Sequence, residues 1–213
     1  MKVNKNNMII TIDTELGCNG EAVAKALAEE LRIPCYGEEI LDKAAELSGI
    51  SARLLHRYDG RVVHAAYDLL AQDASALKMR SAADFVTAQV LACRELAAQG
   101  PCILVDRHST MALNGQEGHV SIFIHADLED RAARLAETGV MSAEEARKTL
   151  RKNDRARRSC YRGNWKGWGE AESYDISVNA SDADVNTLAQ TVLGFLETMT
   201  GESLSEKRES KAV

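Results

Sequence analysis

Long apolar runs are missing from this sequence of 213 residues, and none approaches the length of a helix that crosses a membrane. The first seven residues, MKVNKNN, lack the apolar core of a secretory signal peptide. Cysteine is scarce and scattered, with five residues, an odd number, and no Cys-x-x-Cys pair. A disulfide framework or a cysteine-bound metal cluster is therefore not expected, and we predict a protein of the reducing cytoplasm with no membrane partner.

Excess positive charge is also missing, because 26 basic residues stand against 32 acidic ones and the net charge is −6. That balance argues against a nucleic-acid partner, which favours a basic surface. The exception is residues 147–166, where nine basic residues accompany a single acid, Asp154. A basic segment in an acidic protein predicts a local anionic partner such as a polyphosphate, and a solvated charged face is the alternative.

The stretch from Met8 to Leu31 predicts a buried strand, a glycine loop and an amphipathic helix in succession. Gly17 and Gly20 let the backbone curl so that N–H groups point inward, and the helix N-terminus adds positive potential, as in a phosphate-binding loop. A Walker loop ends in Gly-Lys-Ser/Thr, whereas Gly20 is followed here by Glu21 and Ala22. The pattern therefore predicts the backbone of a phosphate loop without its cation. A plain strand–helix turn that binds no phosphate is the alternative.

Five apolar runs separated by helical patterns predict a three-layer α/β fold, a five-stranded parallel sheet with helices on both faces, in one domain of residues 1–200. The predicted strands lie near residues 8–12, 34–36, 102–106, 120–125 and 175–179. A helical region is predicted over residues 38–98, and a capping box at Ser142 starts a basic helix that runs to about Cys160. Residues 201–213 predict a flexible tail.

Ligands of such sheets bind where the strands end, and charged residues lie at two of those ends. Asp106 and Arg107 follow the third predicted strand, and Asp13 ends the first. A guanidinium suits phosphate because its fork donates two parallel hydrogen bonds, although Arg107 is alternatively a plain surface arginine. Four apolar residues before an acid are also typical of a Walker B strand, whose aspartate holds Mg²⁺. Asp106 is therefore a candidate magnesium ligand or a salt-bridge partner of Arg107, and Asp13 is equally open.

Four stretches, taken in order, resemble the cytidylate kinase-like family of P-loop nucleoside monophosphate kinases. They are IITIDTELGCNGEAVAKALAEELRIPCYGEEIL, GPCILVDR, VSIFIHADLEDRAARL and NDRARRSCYRGNWKGWGEAESYDISVNAS. The resemblance implies a P-loop kinase-like fold, a helical acceptor-binding region within residues 38–98 and a basic helical lid over ATP within residues 142–170. It also implies ATP-dependent phosphorylation of a nucleoside monophosphate, or of another small phosphorylated ligand, with ATP and Mg²⁺ as cofactors.

The same resemblance implies a set of site residues. The cofactor-binding positions of the loop are Glu15, Gly17, Cys18, Asn19, Gly20, Glu21 and Ala22. The catalytic candidates are Arg107, Arg151, Asp154 and Arg157. Asp106 stands where the family has a glycine, so its candidacy as the metal ligand comes from the Walker B-like strand and not from the resemblance. Asp154 and Arg157 match the family's Asp-x-x-Arg lid motif, whose arginines neutralise the transferring phosphoryl group. If Arg157 has that role, we expect the basic helix to break near it, because regular geometry turns it away from Arg151 and Arg158.

The loop departs from the family pattern, which carries arginines where this chain has Thr14 and Glu21. An acid facing a triphosphate repels it, so this degenerate phosphate-binding loop predicts weak or absent ATP binding. Lys25, one helical turn later, either pairs with Glu21 or reaches back to the loop. Three functions remain open: an active kinase, an impaired nucleotide- or phosphate-binding relative, and a structural module whose alanine-rich helices form a homo-oligomer.

Overall fold

The fold is built on one parallel sheet at its centre. The computed structural model describes residues 3–58, 82–162 and 167–204, and the structural statements below concern these residues. The strands are β1 Ile9–Thr14, β2 Cys35–Tyr36, β3 Cys102–Val105, β4 His119–His125 and β5 Ile176–Asn179. They pair in parallel in the order β2-β3-β1-β4-β5. The loop that follows β1 therefore emerges at the middle of the sheet.

Helices cover both faces of this sheet. Those within the described ranges are α1 Gly20–Leu31, α2 Glu39–Ser48, α3 Ala52–Tyr58, α4 Ala82–Ala97, α5 Ser109–Leu113, α6 Leu128–Glu137, α7 Ala143–Arg162, a 3₁₀ turn at Ala171–Ser173 and α8 Val185–Thr200. α1 and α8 pack on the face that carries Ile10 and Ile12, whereas α2, α3 and α4 pack on the face that carries Ile9 and Leu104. All six residues of β1 are buried, as expected of a central strand covered on both sides.

The predicted five-stranded parallel sheet with helices on both faces is confirmed, and each strand lies within two residues of its predicted position. The capping box is also present at the start of α7. The backbone N–H of Ser142 donates to Oε2 of Glu145 over 2.9 Å, and the N–H of Glu145 donates to Oγ of Ser142 over 3.3 Å. In the part of the chain that the structure describes, no helix is both long and apolar enough to span a bilayer.

Two predictions meet the limits of the described ranges. The helical region at residues 38–98 contains α2, α3 and α4, and residues 59–81 between the last two lie outside the described residues. The predicted tail begins at residue 201, and Leu204 within it is 1 % exposed and belongs to the core that α1 and α8 form. Its backbone N–H donates to Oε1 of Glu197 over 2.8 Å. Residues 205–213 lie outside the described residues.

Candidate functional site

The loop between β1 and α1 has the tight backbone that its glycines predicted. Gly17 has a φ of +88°, and a Cβ at this position would lie 3.1 Å from Cβ of Arg131. A Cβ at Gly20 would lie 2.5 Å from Oγ1 of Thr14. Real Cβ atoms do not approach other atoms as closely as the Gly20 distance, and at Gly17 a tight contact adds to a positive φ that favours glycine. The loop backbone therefore packs closely on β1 and α6 because these residues are glycines.

The N-terminus of α1 is arranged to receive an anion. Asn19 precedes the helix in the left-handed conformation, with a φ of 57°, and its side chain caps no backbone N–H. Gly20, Glu21 and Ala22 form the first turn, whose N–H groups have no carbonyl one turn earlier in the helix. Cys18 is buried, and burial raises the pKa of its thiol to about 12, so this side chain is neutral. These features are the ones expected of a phosphate-loop backbone.

The charge of the loop is opposite to that of a phosphate loop. Glu21 extends from the first turn of α1, and Nζ of Lys25 lies 2.8 Å from its Oε1, with side chains 54 % and 65 % exposed. The hydrogen bond to Glu21 raises the pKa of Lys25, so the lysine stays charged. Of the two predicted alternatives, the structure shows the pairing. Lys25 neutralises the acid of the loop rather than reaching back toward a phosphate.

A buried arginine on α6 connects the loop to α7. Arg131 is 4 % exposed, and its Nη1 and Nη2 donate to Oδ1 and Oδ2 of Asp154 over 3.1 and 3.0 Å. Its Nε lies 3.5 Å from Oε2 of Glu15. Burial raises the pKa of Glu15, and the charge of Arg131 opposes that shift. Glu15 and Asp154, a predicted loop position and a predicted catalytic residue, thus hold α7 against the base of the loop.

Arg134, one turn further along α6, fixes the backbone around the same loop. Its guanidinium donates to the carbonyl oxygens of Gly17, over 3.3 Å, of Ser181, over 2.8 Å, and of Ala180. Arg134 therefore ties the glycine loop to the turn that follows β5. No sequence pattern indicates this role for Arg134, because bonds to distant carbonyls leave no pattern in a sequence.

The end of β3 has a strained backbone. Asp106, Arg107 and His108 have φ values of 58°, 51° and 63°, all in the left-handed region that favours glycine. The turn places the carboxylate of Asp106 beside the end of β1, where Oδ1 accepts from the N–H of Thr14 over 3.1 Å. Strain of this kind persists only where surrounding contacts hold it.

The carboxylate of Asp106 forms a salt bridge with Arg157 of α7. Nη1 of Arg157 lies 2.7 Å from Oδ1, and Nη2 lies 3.4 Å from Oδ2. The same Nη1 donates to the carbonyl oxygen of Thr14 over 3.0 Å. The sequence predicts Mg²⁺ or Arg107 as the partner of Asp106, and the structure places Arg157, a residue of the predicted lid, against this carboxylate. Two predicted site residues, Asp106 and Arg157, thus meet at the start of the glycine loop.

α7 continues to Arg162 without a break, so the expected break near Arg157 is wrong. Arg157 reaches the strand ends from a regular helix because it lies on the inward flank with Asp154 and Tyr161, three and four positions away. The adjoining flank borders a cavity of about 420 Å³, and its lining residues are Arg151, Asp154, Arg155, Arg158 and Ser159. Arg151 and Arg157 therefore lie on different sides of α7: Arg151 borders the cavity and Arg157 contacts the strand ends.

Aromatic rings pack the second half of α7 onto the strand ends. The rings of Tyr161 and Trp168 lie 6.0 Å apart, and the guanidinium carbon of Arg157 lies 5.9 Å from the centre of the Trp168 ring. The ring of His108 lies 4.4 Å from that of Tyr161, and the N–H of His108 donates to the Tyr161 hydroxyl over 3.2 Å. Burial lowers the pKa of His108 to about 4. These contacts add a neutral, buried attachment to the two arginine–acid pairs.

Asp13 is a second acid at this edge of the sheet. It is fully buried, and its Oδ2 accepts from the hydroxyl of Tyr174 over 2.8 Å. Burial and the nearby charge of Asp106 raise the pKa of Asp13 to about 7. The hydrogen bonds from Tyr174 and Thr110 oppose that rise in pKa. The sequence leaves the role of Asp13 open, because a strand pattern does not show how deeply an acid at the end of the strand is buried.

Arg107, the residue after Asp106, lies near Glu21 and Gly37, in the cleft between the glycine loop and the end of β3. Its Nη1 donates to the carbonyl oxygen of Val105 over 3.3 Å. A Cβ built on Gly37 would lie 3.7 Å from Nη1 of Arg107 and 3.9 Å from Oε1 of Glu21. Both charged groups therefore approach the same glycine, and the structure brings Arg107 close to the loop rather than to the basic flank of α7.

A central parallel strand, a glycine loop and a helix, with a basic helix over the strand ends, define a P-loop kinase-like α/β protein. Within that class, this chain belongs to the cytidylate kinase-like family, whose model matches residues 9–182. The family predicted from the sequence is confirmed. No curated protein sequence matches the chain significantly.

Solved structures share this fold at low sequence identity. A protein from Eubacterium ventriosum ATCC 27560 is 24 % identical with a TM-score of 0.67, covering 90 % of this chain and 99 % of that one. A gluconokinase from Sinorhizobium meliloti 1021 is 12 % identical, with a TM-score of 0.55 and coverages of 92 % and 94 %. A shikimate kinase from Acinetobacter baumannii, in complex with shikimate, is 13 % identical, with a TM-score of 0.54 and coverages of 90 % and 93 %. At these identities the likeness establishes the fold and not the substrate.

Proposed function

We propose that this chain binds the phosphates of a nucleotide between its glycine loop and α7, and that it is an impaired phosphotransferase of its family. One observation carries the proposal. The loop backbone has the geometry that accepts phosphate, while its leading side chain is an acid, Glu21, paired with Lys25 over 2.8 Å. Binding geometry is retained where the charge needed for catalysis is missing.

Arginines outside the loop supply the positive charge for binding. Arg151, Arg155 and Arg158 line the cavity of about 420 Å³ beside α7, a volume within the usual range for small-molecule sites. Arg107 approaches the loop from the end of β3. Guanidinium groups bind phosphate oxygens in pairs, so these residues compensate for the loop's lost cations in binding. A nucleotide or another small phosphorylated molecule is the ligand class that fits them.

Phosphoryl transfer requires stabilisation of the transition state in addition to binding of the phosphates. The transition state needs cations at the outer phosphates, and in P-loop enzymes a lysine and a hydroxyl that holds Mg²⁺ follow the last glycine. Here Glu21 and Ala22 stand there. The residues at the strand ends also fit Mg²⁺ poorly, because Asp106 already accepts hydrogen bonds from Arg157 and from the N–H of Thr14. Among the described residues, no cluster of three or more His, Cys, Asp or Glu side chains is placed to hold a metal.

An active, ATP-dependent nucleoside monophosphate kinase is the second candidate, and the position of Arg157 favours it. Its guanidinium lies 3.0 Å from the carbonyl oxygen of Thr14, at the mouth of the loop, where a transferring phosphoryl group needs a cation. In this candidate, Arg157 of the proposed lid supplies part of the positive charge that the missing loop cations would place beside the phosphoryl group.

Thermal unfolding with ATP, with CMP and with both, each with and without Mg²⁺, tests the proposal. A ligand that binds only the folded state raises the midpoint, and the shift grows with the logarithm of the ligand concentration relative to its Kd. We expect a shift with nucleotide, a smaller shift for Arg158→Gln, and no change in the shift for Lys148→Gln, whose exposed side chain pairs with Glu144. Coupled detection of ADP separates the candidates, because sustained ADP production from ATP and CMP identifies a kinase. No shift with any nucleotide contradicts the proposal.

A further inference from the structure

We infer that Asp106 is a built-in competitor of the phosphate, because its carboxylate occupies Arg157, the guanidinium that a bound phosphate at the mouth of the loop would engage. The inference rests on the proposed function, since it concerns the same site. It assigns to Asp106 the control of anion affinity rather than the binding of a metal.

The pair has the geometry that such a competition needs. The Nη1 and Nη2 atoms of Arg157 face the two oxygens of Asp106 at 2.7 and 3.4 Å, with the two side chains 17 % and 11 % exposed. A carboxylate offers a guanidinium the same two-oxygen edge that a phosphate offers. The Nη1 and Nη2 atoms of Arg157 can therefore donate hydrogen bonds either to the carboxylate of Asp106 or to a phosphate, but not to both at once.

The position of Asp106 places this competition at the loop itself. Its Oδ1 accepts from the N–H of Thr14, the last residue of β1, and the glycine loop begins at the next residue. Nη1 of Arg157 also donates to the carbonyl oxygen of Thr14, so the guanidinium is already held at the loop's entrance. A phosphate that arrives there exchanges with Asp106 and does not have to draw Arg157 from a distance.

The backbone gives independent support. Asp106 adopts a φ of 58°, a conformation that glycine takes without steric cost and an aspartate does not. Arg107 and His108 continue the same left-handed turn. A strained acid at this point indicates that its contacts hold the turn in place, and those contacts are with Thr14 and Arg157.

The other lid attachment remains when this pair is broken. Asp154 is bound on both oxygens by Arg131, and Tyr161 packs on His108 and Trp168. Neutralising Asp106 therefore releases Arg157 toward a ligand without detaching α7. The expected result is a gain in anion affinity, whereas loss of a metal ligand or of a structural contact would lower it.

Calorimetric titration with inorganic tripolyphosphate, in magnesium-free buffer with a chelator, tests the inference on the full chain. The proteins are wild type, Asp106→Asn, Arg157→Gln and the double variant. Asparagine keeps an oxygen for the N–H of Thr14 but bears no charge. We expect Asp106→Asn to bind about ten-fold more tightly than wild type and Arg157→Gln to bind about ten-fold more weakly. The gain from Asp106→Asn should disappear in the Arg157→Gln background.

Each other result overturns the inference in a distinguishable way. An equal gain with and without Arg157 means that Asp106 acts only as a general negative charge. The titration is repeated with Mg²⁺ present. If Asp106→Asn then binds tripolyphosphate more weakly than wild type, the result supports the predicted role of Asp106 as a metal ligand instead. If wild type binds tripolyphosphate and Asp106→Asn binds it with the same affinity, the inference alone is overturned. If none of the four proteins binds it, the proposed function is overturned as well. Asp106→Gly, which relieves the backbone strain, is the second variant if Asp106→Asn does not fold.

Discussion

The glycine loop and α7, the two sides of the proposed phosphate site, differ in opposite ways. The loop has the tight backbone expected of such a site, with glycines at Gly17 and Gly20 where a Cβ would be strained or would clash, but its leading side chain is the acid Glu21. α7 has the cations of a phosphate site, but two acids engage the arginines around it. Backbone geometry and charge are therefore separable parts of a phosphate-binding site, and a family model matches the chain even where only one of them is present.

The two acid–arginine pairs near α7 also differ from each other. Arg131 and Asp154 are 4 % and 9 % exposed and meet in a bidentate contact, with Glu15 nearby. Asp106 and Arg157 meet less symmetrically, at the edge of the cleft. We interpret the first pair as the anchor of α7 and the second as the exchangeable contact.

Breaking the anchor has the largest expected effect. Asp154→Ala leaves the guanidinium of Arg131 buried with Glu15 at 3.5 Å as its nearest described acid, and removing one partner of a buried pair costs about 3–5 kcal/mol of unfolding free energy. Urea unfolding measures the loss. The control is Glu144→Ala, which removes an exposed pair with Lys148 on the same helix and should cost less than about 0.5 kcal/mol. Equal costs for the two variants would show that Asp154 does not anchor α7.

The loop backbone gives the next largest effect. Gly20→Ala places a Cβ at 2.5 Å from Oγ1 of Thr14, and we expect a loss of about 2 kcal/mol in unfolding free energy because β1 cannot move away. Gly194→Ala on α8 is the matched control, since a Cβ there meets no atom within 4 Å. That variant should gain about 0.5–1 kcal/mol from helix propensity. A Gly20→Ala protein as stable as wild type would contradict the packed-loop geometry.

Restoring charge to the loop should change ATP binding by less. Glu21→Gln removes the repulsive acid and Glu21→Arg adds a cation, so affinity should rise in that order by about 1–2 kcal/mol in total. The effect is limited because the Glu21 and Lys25 side chains are more than half exposed and screened by water. The measurement is ATP calorimetry at fixed Mg²⁺.

Glu29→Arg, the same charge change two turns further along α1, is the control for general electrostatics. Micromolar ATP binding by the wild type would contradict the prediction that the acid weakens ATP binding, and sustained ADP production would then be needed to favour the active kinase over an impaired binder. No difference between Glu21→Arg and Glu29→Arg would indicate that the loop does not receive phosphate.

The parts of this site that the sequence predicted are local ones. The apolar run of β1, the two glycines and the capping box at Ser142 each specify structure over a few neighbouring residues. The partners of Asp154 and Asp106 lie 23 and 51 positions away, and no periodicity shows which distant side chain meets a given residue. For the same reason the sequence predicts Mg²⁺ or Arg107 as the partner of Asp106. The left-handed turn that places Asp106 beside Arg157 could not be predicted, because in a sequence a glycine and not an aspartate indicates such a turn.

Two histidines, the buried His108 and the half-buried His119, give the smallest expected effect and extend the comparison to acidic pH. His108 packs on α7, with Nδ1 2.6 Å from Oε1 of Gln89, and His119 lies at the opposite end of the sheet, with Nε2 2.8 Å from Oγ1 of Thr11. Burial lowers the pKa of each from 6.5 to about 4. Because the folded-state pKa is depressed, the stability from the neutral rings is complete above about pH 6.5 and is lost as the pH falls toward 4.

Replacing either ring by glutamine should therefore reduce the loss of unfolding free energy between pH 7 and about pH 4.5, by about 1 kcal/mol after allowance for partial exposure. Urea unfolding at the two pH values measures this difference. Hydrogen exchange then separates the two positions. Only His108→Gln should reduce the acid sensitivity of amides near Tyr161, because only His108 contacts α7. If both variants lose as much stability on acidification as wild type, the histidines are not held neutral by the fold. If His119→Gln also protects α7, the acid response of α7 reports global unfolding rather than its own attachment.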